Sequence, residues 1–457
     1  MKPPSSSSDP SPGGLFDGVL ARGAVRDAVS DRAWLQAMLD VEAALARAQS
    51  TVGLSDPAAA ASIARACRAE NFDIAAIGLE ATDSGNPVVP LVRALREVVD
   101  DPAAADLVHV GATSQDVLDS AAMLVARRAL EPLLGDLAAA ADAAAAMAAA
   151  HRDTLMAGRT LLQHALPITF GFKAAGWTVA LDETVGRLDA VRSTRLAVQL
   201  GGAAGTLASL GDEGLSVLRA FAEELGLAEP AIAWHTERTR IGDLAGALGV
   251  AAGAIGKVAR DVVLMAQTEV AEVREGMPGR GGSSTLPHKR NPVAAVAAIA
   301  GAERAPALVA TLLAAMIQEH ERAAGSWHAE WKALAELLEA VGSAAAWIRD
   351  CLEHLEVDAE RMRANLELTG GLLLAERIVS ALTPAIGRRA ADDLVTAAAE
   401  ETTSGKRSFE ETLLDRPDVV EHLGPVEVAR LFDPAGYLGS ASAFVDRALD
   451  RRRRGSS

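Results

Sequence analysis

The sequence has few aromatic residues and almost no cysteine. Aromatic side chains make up 3% of the 457 residues, although half of the chain is hydrophobic. Alanine supplies much of that hydrophobic content, which favours closely packed helices. We therefore expect an all-α protein, and its length predicts two or three domains. The two cysteines, Cys67 and Cys351, lie far apart without a CxxC or Cys/His spacing, which indicates a reducing compartment and predicts no structural zinc.

Positive charge is also scarce, since the formal net charge is −17. A surface that follows nucleic-acid phosphates needs a basic stripe, so we expect no nucleic-acid partner. The one cationic run is Arg451–Arg454, and we interpret residues 451–457 as a solvated basic tail. Residues 1–14, MKPPSSSSDPSPGG, lack the apolar segment of a signal peptide and are expected to be a disordered lead.

No long hydrophobic run is free of charge. The most apolar stretch, residues 293–317, contains Glu303, Arg304 and Pro306 near its centre. Charged residues in the middle of such a stretch argue against a membrane span. We therefore expect a soluble, cytoplasmic protein without a membrane partner.

Over most of the chain, apolar residues recur at the spacing that is typical of helices. Apolar residues recur at helical spacing over residues 31–49, and five longer helices are predicted over about 114–151, 167–200, 239–274, 292–320 and 328–355. The predicted segments are the lead 1–14, an N-terminal helical domain 15–107, a central helical bundle 108–355, a small helical domain 356–450, and the tail 451–457. Several long helices are apolar on every side and must be covered all round, so we expect an oligomer.

Three polar interruptions break this helical frame. The first is VHVGATSQDVLDSA, residues 108–121, where Thr113 and Asp116 resemble a capping box at a helix start. His109 lies just before these hydroxyls. The stretch is therefore either an ordinary helix start or a carboxylate site at a helix N-terminus.

The second interruption is AGRTLLQHALPITFGFK, residues 157–173. Pro167 suits the first turn of the following helix. The polar residues upstream of it are Arg159, Thr160, Gln163 and His164. A lone histidine in such a position is more often structural than catalytic, so both interpretations of His164 stay open.

The third interruption is GGSSTLPHKRNP, residues 281–292. Asn291 is a favourable N-cap and Pro292 a favourable first residue for the apolar helix that follows, so residues 277–290 are predicted to form a loop. A mere linker would explain the glycine and proline but not the polar residues gathered beside them. The helix dipole, Lys289 and Asn291 together would hold an anion. A Walker A loop is excluded because the GxxxxGK[ST] pattern and a preceding strand are missing.

The third stretch closely resembles the signature loop of the fumarase/aspartase superfamily, G-S-S-x-x-P-x-K-x-N. The other two interruptions resemble the remaining signature regions of that superfamily, in the same order, and the resemblance covers residues from about 15 to 450. It implies three mainly helical domains, with the central bundles forming a twenty-helix core in a homotetramer. It also implies active sites that each draw on three subunits.

The resemblance implies chemistry at the carbon α to a carboxylate. In that superfamily the first serine of the loop exchanges this proton, which corresponds to Ser283 here, and Lys289 stabilises the charge that develops. The implied carboxylate-binding residues are Thr113, Ser114, Thr160, Gln163, Ser284 and Asn291. We add Arg159 and Arg322 as supporting cations and His109 and His164 as further candidates near the substrate. No metal and no cofactor are implied.

Within the superfamily, the motifs PHKRNP and HVGATSQD resemble those of two branches, the adenylosuccinate lyases and the bacterial 3-carboxy-cis,cis-muconate cycloisomerases. The lyases carry a histidine after the threonine of the second region, where this chain has Leu161, and another histidine where Gly85 stands. Both differences favour the cycloisomerase branch, which closes a tricarboxylate substrate to a lactone in protocatechuate breakdown. An adenylosuccinate-type lyase and a non-catalytic helical scaffold remain the alternatives.

Overall fold

The computed structural model describes residues 14–405 and 407–455, and the predicted lead 1–14, apart from Gly14, lies outside them. Within the described residues the chain is helical, with two short antiparallel strand pairs. The all-α prediction is confirmed. The division into three consecutive domains stays a prediction.

The elements follow one another along the chain as follows. The helices are α1 (Asp17–Leu20), α2 (Val25–Ala28), α3 (Asp31–Thr51), α4 (Pro57–Ala66), α5 (Ile74–Ser84), α6 (Val88–Val98), α7 (Pro102–Ala105), α8 (Ser114–Ala150), α9 (Phe170–Thr194), α10 (Gly214–Leu225), α11 (Thr239–Met265), α12 (Val293–Ala314), α13 (Ser326–Glu353), α14 (Ala359–Leu366), α15 (Ala375–Ile386), α16 (Arg388–Ser404), α17 (Phe409–Leu414), α18 (Pro417–Leu431) and α19 (Ala441–Gly455). The strands are β1 (Leu155–Thr160), β2 (Gln163–Thr169), β3 (Val273–Glu275) and β4 (Leu355–Val357).

The five predicted long helices correspond to α8, α9, α11, α12 and α13, but most of them end earlier than predicted. Helix α11 ends at Met265 and a turn segment leads from it to β3 at Val273, whereas α13 ends at Glu353 with only His354 before β4. Strands β3 and β4 pair with each other. Apolar helical periodicity does not reveal such short strands, since three residues are too few to establish a period.

The placement of Pro167 at the start of a helix was wrong. Pro167 lies in β2, opposite Ala157 of β1, and α9 begins three residues later at Phe170. The pairing of β1 with β2 shifts between Ala157 and Arg159. Proline has no N–H to donate to a strand partner, and such irregular positions in a two-stranded ribbon tolerate it.

The chain divides into two compact units. Unit 1 comprises the described residues up to Ala138 together with Glu183–Lys257 and Ala297–Ile348. In it, α3 packs against α4 and α10, and Leu39 and Leu45 of α3 are buried. Cys67, directly after α4, is a buried free thiol.

Unit 2 comprises Ala139–Asp182, Val258–Val296 and the described residues from Arg349 onwards. Helices α15 to α18 enclose an apolar cluster that includes Ile378, Phe409 and Val428, all fully buried. Cys351 is a buried free thiol. Arg451–Arg454 form the last turns of α19, with Arg451, Arg453 and Arg454 exposed, and the basic tail over 451–457 stays a prediction. There Arg452 pairs with Asp142 and Asp182.

Two helices in the described part of the chain, α8 and α12, are long and apolar enough to cross a membrane by length and composition alone. The core helices of soluble proteins pass the same test. Only 39% of the most apolar window of each helix is buried within this chain. The other residues of each window are partly or fully exposed within the described part of the chain.

Candidate active site

The first motif is organised around the buried carboxylate of Asp116. Its Oδ2 accepts hydrogen bonds from the backbone N–H of Thr113 at 2.9 Å and of Gly202 at 2.9 Å. Its Oδ1 accepts from the backbone N–H of Gly201 at 3.0 Å and lies 2.7 Å from Nε2 of the buried His235. The carboxylate therefore ties the start of α8 to a glycine-rich loop and to His235.

A second set of contacts holds Arg322 against the same loop. Arg322 Nη1 donates to Oε1 of Gln115 at 3.1 Å, and Nη2 donates to the carbonyl of Ala203 at 2.9 Å. The Gln115 amide in turn donates to the carbonyl of His235 at 2.8 Å. The guanidinium of Arg322 thus braces this part of unit 1.

His109 is held by α3 rather than by its own neighbours in sequence. Its Nδ1 lies 2.6 Å from Oε1 of Glu42, whose side chain is 1% exposed. The next carbonyl along, that of Val110, accepts from the side-chain amide of Gln49 at 2.6 Å. Glu42 and Gln49 are two turns apart on α3 and lie on its buried face.

The second motif forms a two-residue hairpin turn. Thr160 pairs with Gln163 across the turn, and the two residues between them, Leu161 and Leu162, have φ of 51° and 64°. Positive φ at both central positions is typical of a type I′ turn, which favours glycine or asparagine over leucine. Leu161 is 97% exposed and Leu162 is 71% exposed. The hairpin therefore ends in two apolar side chains that nothing in the described chain covers.

Next to its turn, this hairpin is joined to the segment before the signature loop. Arg159 Nη1 and Nη2 donate to the two carboxylate oxygens of the fully buried Glu272 at 2.9 and 2.8 Å. Asn365 also donates to Glu272, at 2.9 Å. His164 lies opposite Arg159, and burial and the charge of Arg159 lower its pKa. The guanidinium of Arg159 is thus already paired with a carboxylate of its own chain.

The third motif is a loop closed at its stem. The backbone N–H of Asn291 donates to the carbonyl of Gly281 at 2.8 Å. Gly281 has φ of 76°, and a Cβ there would lie 2.4 Å from the carbonyl oxygen of Asn291. Only glycine fits such a close approach. Beside the stem, Arg280 donates to both carboxylate oxygens of Asp350.

The prediction that Asn291 caps α12 was wrong, whereas the anion site expected at Lys289 and Asn291 stays a prediction. The carbonyl of Pro292 accepts the first helical hydrogen bond, from Val296, so the helix begins one residue later than predicted. The carboxylate of Glu275 accepts from the backbone N–H of Ala294 at 3.1 Å and of Ala295 at 2.9 Å. A side chain of the protein therefore already occupies this helix N-terminus.

Within the loop, Ser283 has a distinctive environment. Its Oγ accepts hydrogen bonds from the backbone N–H of Leu286 at 3.1 Å and of Thr285 at 3.3 Å. Two N–H donors favour a negatively charged oxygen over a neutral one. The hydroxyl of Ser283 is thus placed where loss of its proton is stabilised.

The loop residues after Ser283 are largely exposed. Ser284 and Lys289 are both exposed, and within the described residues Lys289 has no ion-pair partner. The stretch His288–Pro292 lines a cavity of about 950 Å³, together with residues of β3, β4 and the turn after β4. Lys289 is therefore an exposed cation in the lining of this cavity, on the same loop as Ser283.

Two protein-family models match this chain. The family described as Lyase matches residues 20–306, and the family described as Adenylosuccinate lyase C-terminus matches residues 371–448. The chain belongs to the fumarase/aspartase superfamily. This membership confirms the resemblance read from the three motifs.

Three relatives in the superfamily are similar over nearly their whole length. A 3-carboxy-cis,cis-muconate cycloisomerase of Bradyrhizobium diazoefficiens is 49% identical over 96% of this chain and 98% of its own. One of Pseudomonas aeruginosa is 50% identical over 95% of both chains. A nitrosuccinate lyase of Streptomyces davaonensis is 46% identical over 95% of this chain and 94% of its own.

A solved structure agrees with these relatives. The crystal structure of 3-carboxy-cis,cis-muconate lactonizing enzyme from Pseudomonas putida matches with a TM-score of 0.92 and 43% sequence identity. The match covers 97% of this chain and 100% of that chain. The superfamily fold therefore extends over the whole described chain.

The candidate residues fall into two groups. His109, Thr113, Ser114 and Arg322 belong to unit 1, and Arg159, Thr160, Gln163, His164, Ser283, Ser284, Lys289 and Asn291 belong to unit 2. The sequence analysis missed the side chains that hold these groups in place, which are Glu42, His235, Glu272 and Glu275. Glu42 itself is noticeable because it interrupts the apolar stripe of α3. No local pattern identifies its partner His109 or the partners of the other three residues.

Proposed function

We propose that the protein is a 3-carboxy-cis,cis-muconate cycloisomerase, which converts 3-carboxy-cis,cis-muconate to 4-carboxymuconolactone. Relatives of that name share about half of their residues with this chain over nearly full length. The observation that carries the proposal within the superfamily is Leu161, an apolar side chain at the hairpin tip where adenylosuccinate lyases carry a proton-transferring histidine. The reaction belongs to protocatechuate breakdown.

The absence of a proton-transferring group at Leu161 suits this reaction. A substrate carboxylate adds internally to a carbon–carbon double bond, and a carboxylate is already ionised at neutral pH because its pKa is about 4. In the reverse direction the same carboxylate leaves without needing a proton. An amine leaving group, as in adenylosuccinate, would need one.

Ser283 supplies the proton that the addition requires. As the new carbon–oxygen bond forms, negative charge develops on the carbon α to another carboxylate and is delocalised into it. The Ser283 hydroxyl transfers its proton to that carbon, and the N–H groups of Thr285 and Leu286 stabilise the remaining serine oxygen. A proton taken up from the solvent then restores the Ser283 hydroxyl, so the net reaction consumes one proton as the tricarboxylate becomes a lactone with two carboxylates.

Hydroxyl, amide and ammonium groups hold the three carboxylates of the substrate. Thr113 and Ser114 act at the start of α8, and Ser284, Lys289 and Asn291 act beside Ser283. Thr160 and Gln163 approach from the hairpin tip. Arg159 and Arg322 already hold groups of their own chain, and we assign them the task of fixing the hairpin and the loop after Leu200.

We further propose that the protein acts as a homotetramer in the cytoplasm, with each active site shared between subunits. Two observations support this: the incompletely buried apolar windows of α8 and α12, and the exposed leucines at the hairpin tip. The central helices of four copies would form the twenty-helix core of the superfamily. Neither nucleic acid nor a membrane is part of the proposal.

A direct assay tests the function. Purified protein is mixed with 3-carboxy-cis,cis-muconate, and loss of the conjugated ultraviolet absorbance is followed. The same protein is mixed with nitrosuccinate and with adenylosuccinate. We expect rapid turnover of the muconate alone. Nitrite release from nitrosuccinate at a higher kcat/KM would overturn the proposal in favour of the nitrosuccinate lyase relative, and efficient cleavage of adenylosuccinate would reinstate the lyase alternative.

The nitrosuccinate comparison matters because Leu161 alone does not exclude that substrate. Nitrite, like a carboxylate, is a stable anion at neutral pH and leaves without general-acid help. Absence of turnover with all three substrates would favour the scaffold alternative. The retention of both Ser283 and Lys289 speaks against that outcome.

A further inference from the structure

We propose that Glu42 is a positioning residue for His109, and that the pair presents an imidazolium to one carboxylate of the substrate. The inference rests on the proposed function for the identity of the anion. It rests on the geometry of α3 and the first motif for the pair itself. Neither residue had a role in the proton transfer described above.

The contact between the two side chains is short and buried. Nδ1 of His109 lies 2.6 Å from Oε1 of Glu42, and the Glu42 side chain is 1% exposed. The other carboxylate oxygen of Glu42, Oε2, is buried and has no hydrogen-bond partner among residues 14–405 and 407–455. A buried carboxylate with an unpaired oxygen is costly in free energy. The hydrogen bond from a protonated Nδ1 of His109 is therefore the main interaction that offsets the cost of burying the Glu42 carboxylate.

The backbone holds the imidazole in one place. His109 has φ of 66°, a conformation that non-glycine residues adopt at a cost and that is often found at functional sites. The backbone carbonyls of the two neighbouring residues are also held by hydrogen bonds. Arg96 donates to the Val108 carbonyl at 3.1 Å, and Gln49 donates to the Val110 carbonyl at 2.6 Å. With Nδ1 engaged by Glu42, Nε2 is the nitrogen left to donate to a ligand.

The surrounding charges favour the protonated ring. Burial lowers the pKa of His109, but the hydrogen bond and charge of Glu42, with the charge of Asp116, outweigh it and raise the pKa overall. Arg96 opposes them weakly. The imidazolium therefore persists above the ordinary titration range of histidine and is lost as the pH rises through the raised pKa.

The ring also lies in the right chemical setting for a carboxylate. Its side chain is 18% exposed, so a ligand can reach it without unfolding the segment. Thr113 and Ser114 follow closely in sequence at the N-terminus of α8, where the helix dipole favours an anion. A cation held beside hydroxyl groups matches a carboxylate better than a neutral group.

The experiment compares Glu42→Gln and His109→Gln with the wild type in two measurements. The first is an NMR titration of the histidine ring signals, with His109→Gln identifying the signal of His109. The second is the pH dependence of KM and kcat with 3-carboxy-cis,cis-muconate. Gln49→Met is the matched control, because it removes a hydrogen bond from the same helix face to the same segment without changing charge.

In the wild type we expect KM to rise as the pH passes the titration of His109. Glu42→Gln should move both the NMR midpoint and this rise in KM to lower pH. At a pH between the two midpoints it should raise KM by about tenfold, the loss expected for one charge-assisted hydrogen bond. His109→Gln should raise KM at all pH values below the wild-type midpoint. Gln49→Met should lower thermal stability without moving either midpoint.

An unchanged NMR midpoint in Glu42→Gln would overturn the pairing. A shifted midpoint with an unchanged pH profile of KM would overturn the role in substrate binding. The NMR arm needs no substrate, so failure of the proposed function leaves it readable and is distinguished by the lack of turnover in the wild type.

Discussion

Both terminal nitrogens of Arg159 donate hydrogen bonds to the carboxylate of Glu272, and this carboxylate is fully buried. Removing one partner from such a pair leaves an uncompensated charge inside the protein. We therefore expect Arg159→Met to lower the free energy of unfolding by about 3–5 kcal/mol. Urea denaturation measures the change.

The control for Arg159 is Arg274→Met, which breaks an exposed pair with Glu356 in the same unit and should change stability little. The double variant Arg159→Met/Glu272→Met should recover much of the lost stability, since no buried charge is left alone. Unchanged stability of Arg159→Met combined with a raised KM would instead assign Arg159 to the substrate.

Ser283→Ala should leave the fold intact, because a loop hydroxyl contributes little to the core. Turnover should fall by at least about a hundredfold, as for loss of general acid–base catalysis. Thr285→Val is the control, since it keeps both the Ser283 hydroxyl and the backbone N–H that Ser283 accepts. Steady-state kinetics with matched circular dichroism spectra provide the test. Near-normal turnover of Ser283→Ala would require a different proton donor.

Lys289→Met should weaken substrate binding and turnover together, because the ammonium holds charge in both the ground state and the transition state. The neighbouring exposed cation Arg290 gives the control, Arg290→Met. Measuring kcat and KM for both variants separates a specific role from a general loss of positive charge. Equal effects of the two substitutions would contradict the assignment of Lys289.

Leu161→His introduces the residue that adenylosuccinate lyases carry at this position. We expect no gain in lactonisation, because the attacking carboxylate is already ionised. Leu162→His is the control at the adjacent turn position, which has the same sign of φ. Faster lactonisation by Leu161→His alone would reveal a proton-transfer step at the hairpin tip, and His164 would be the first residue to investigate.

Mixing two inactive variants tests shared active sites. Ser283→Ala and Thr113→Val are purified separately, combined, and allowed to exchange subunits. If one site takes these residues from different subunits, the mixture should regain up to about a quarter of wild-type activity. Analytical ultracentrifugation of the wild type should give a tetramer. A fully active monomer, or no recovery after proven exchange, would contradict the proposal.

The sequence was informative where a local pattern determines the structure. The amphipathic stripe of α3 and the three polar interruptions are read from neighbours within one or two helical turns. The hairpin β1–β2 escaped because its turn residues are Leu161 and Leu162, where a type I′ turn favours glycine or asparagine. The capping of α12 by Glu275 escaped for another reason: the carboxylate reaches the helix across the whole signature loop.

The same distinction applies to the site. Ser283 and Lys289 were identifiable because the loop that carries them matches a characteristic sequence pattern. Glu42 and Glu272 act on His109 and Arg159 from far along the chain. Such pairs form only when the tertiary fold brings their helices and strands together, so a single sequence does not disclose them.

The two buried thiols offer a means of following motion within each unit. Burial raises the pKa of Cys67 in unit 1 and of Cys351 in unit 2, so neither reacts with a thiol reagent while its surroundings stay closed. The labelling rate of each cysteine thus records how often its own unit opens. Cys351 also contacts Glu275, the cap of α12. Its labelling rate would therefore report how often the structure at the foot of the signature loop opens, without the need for an introduced cysteine.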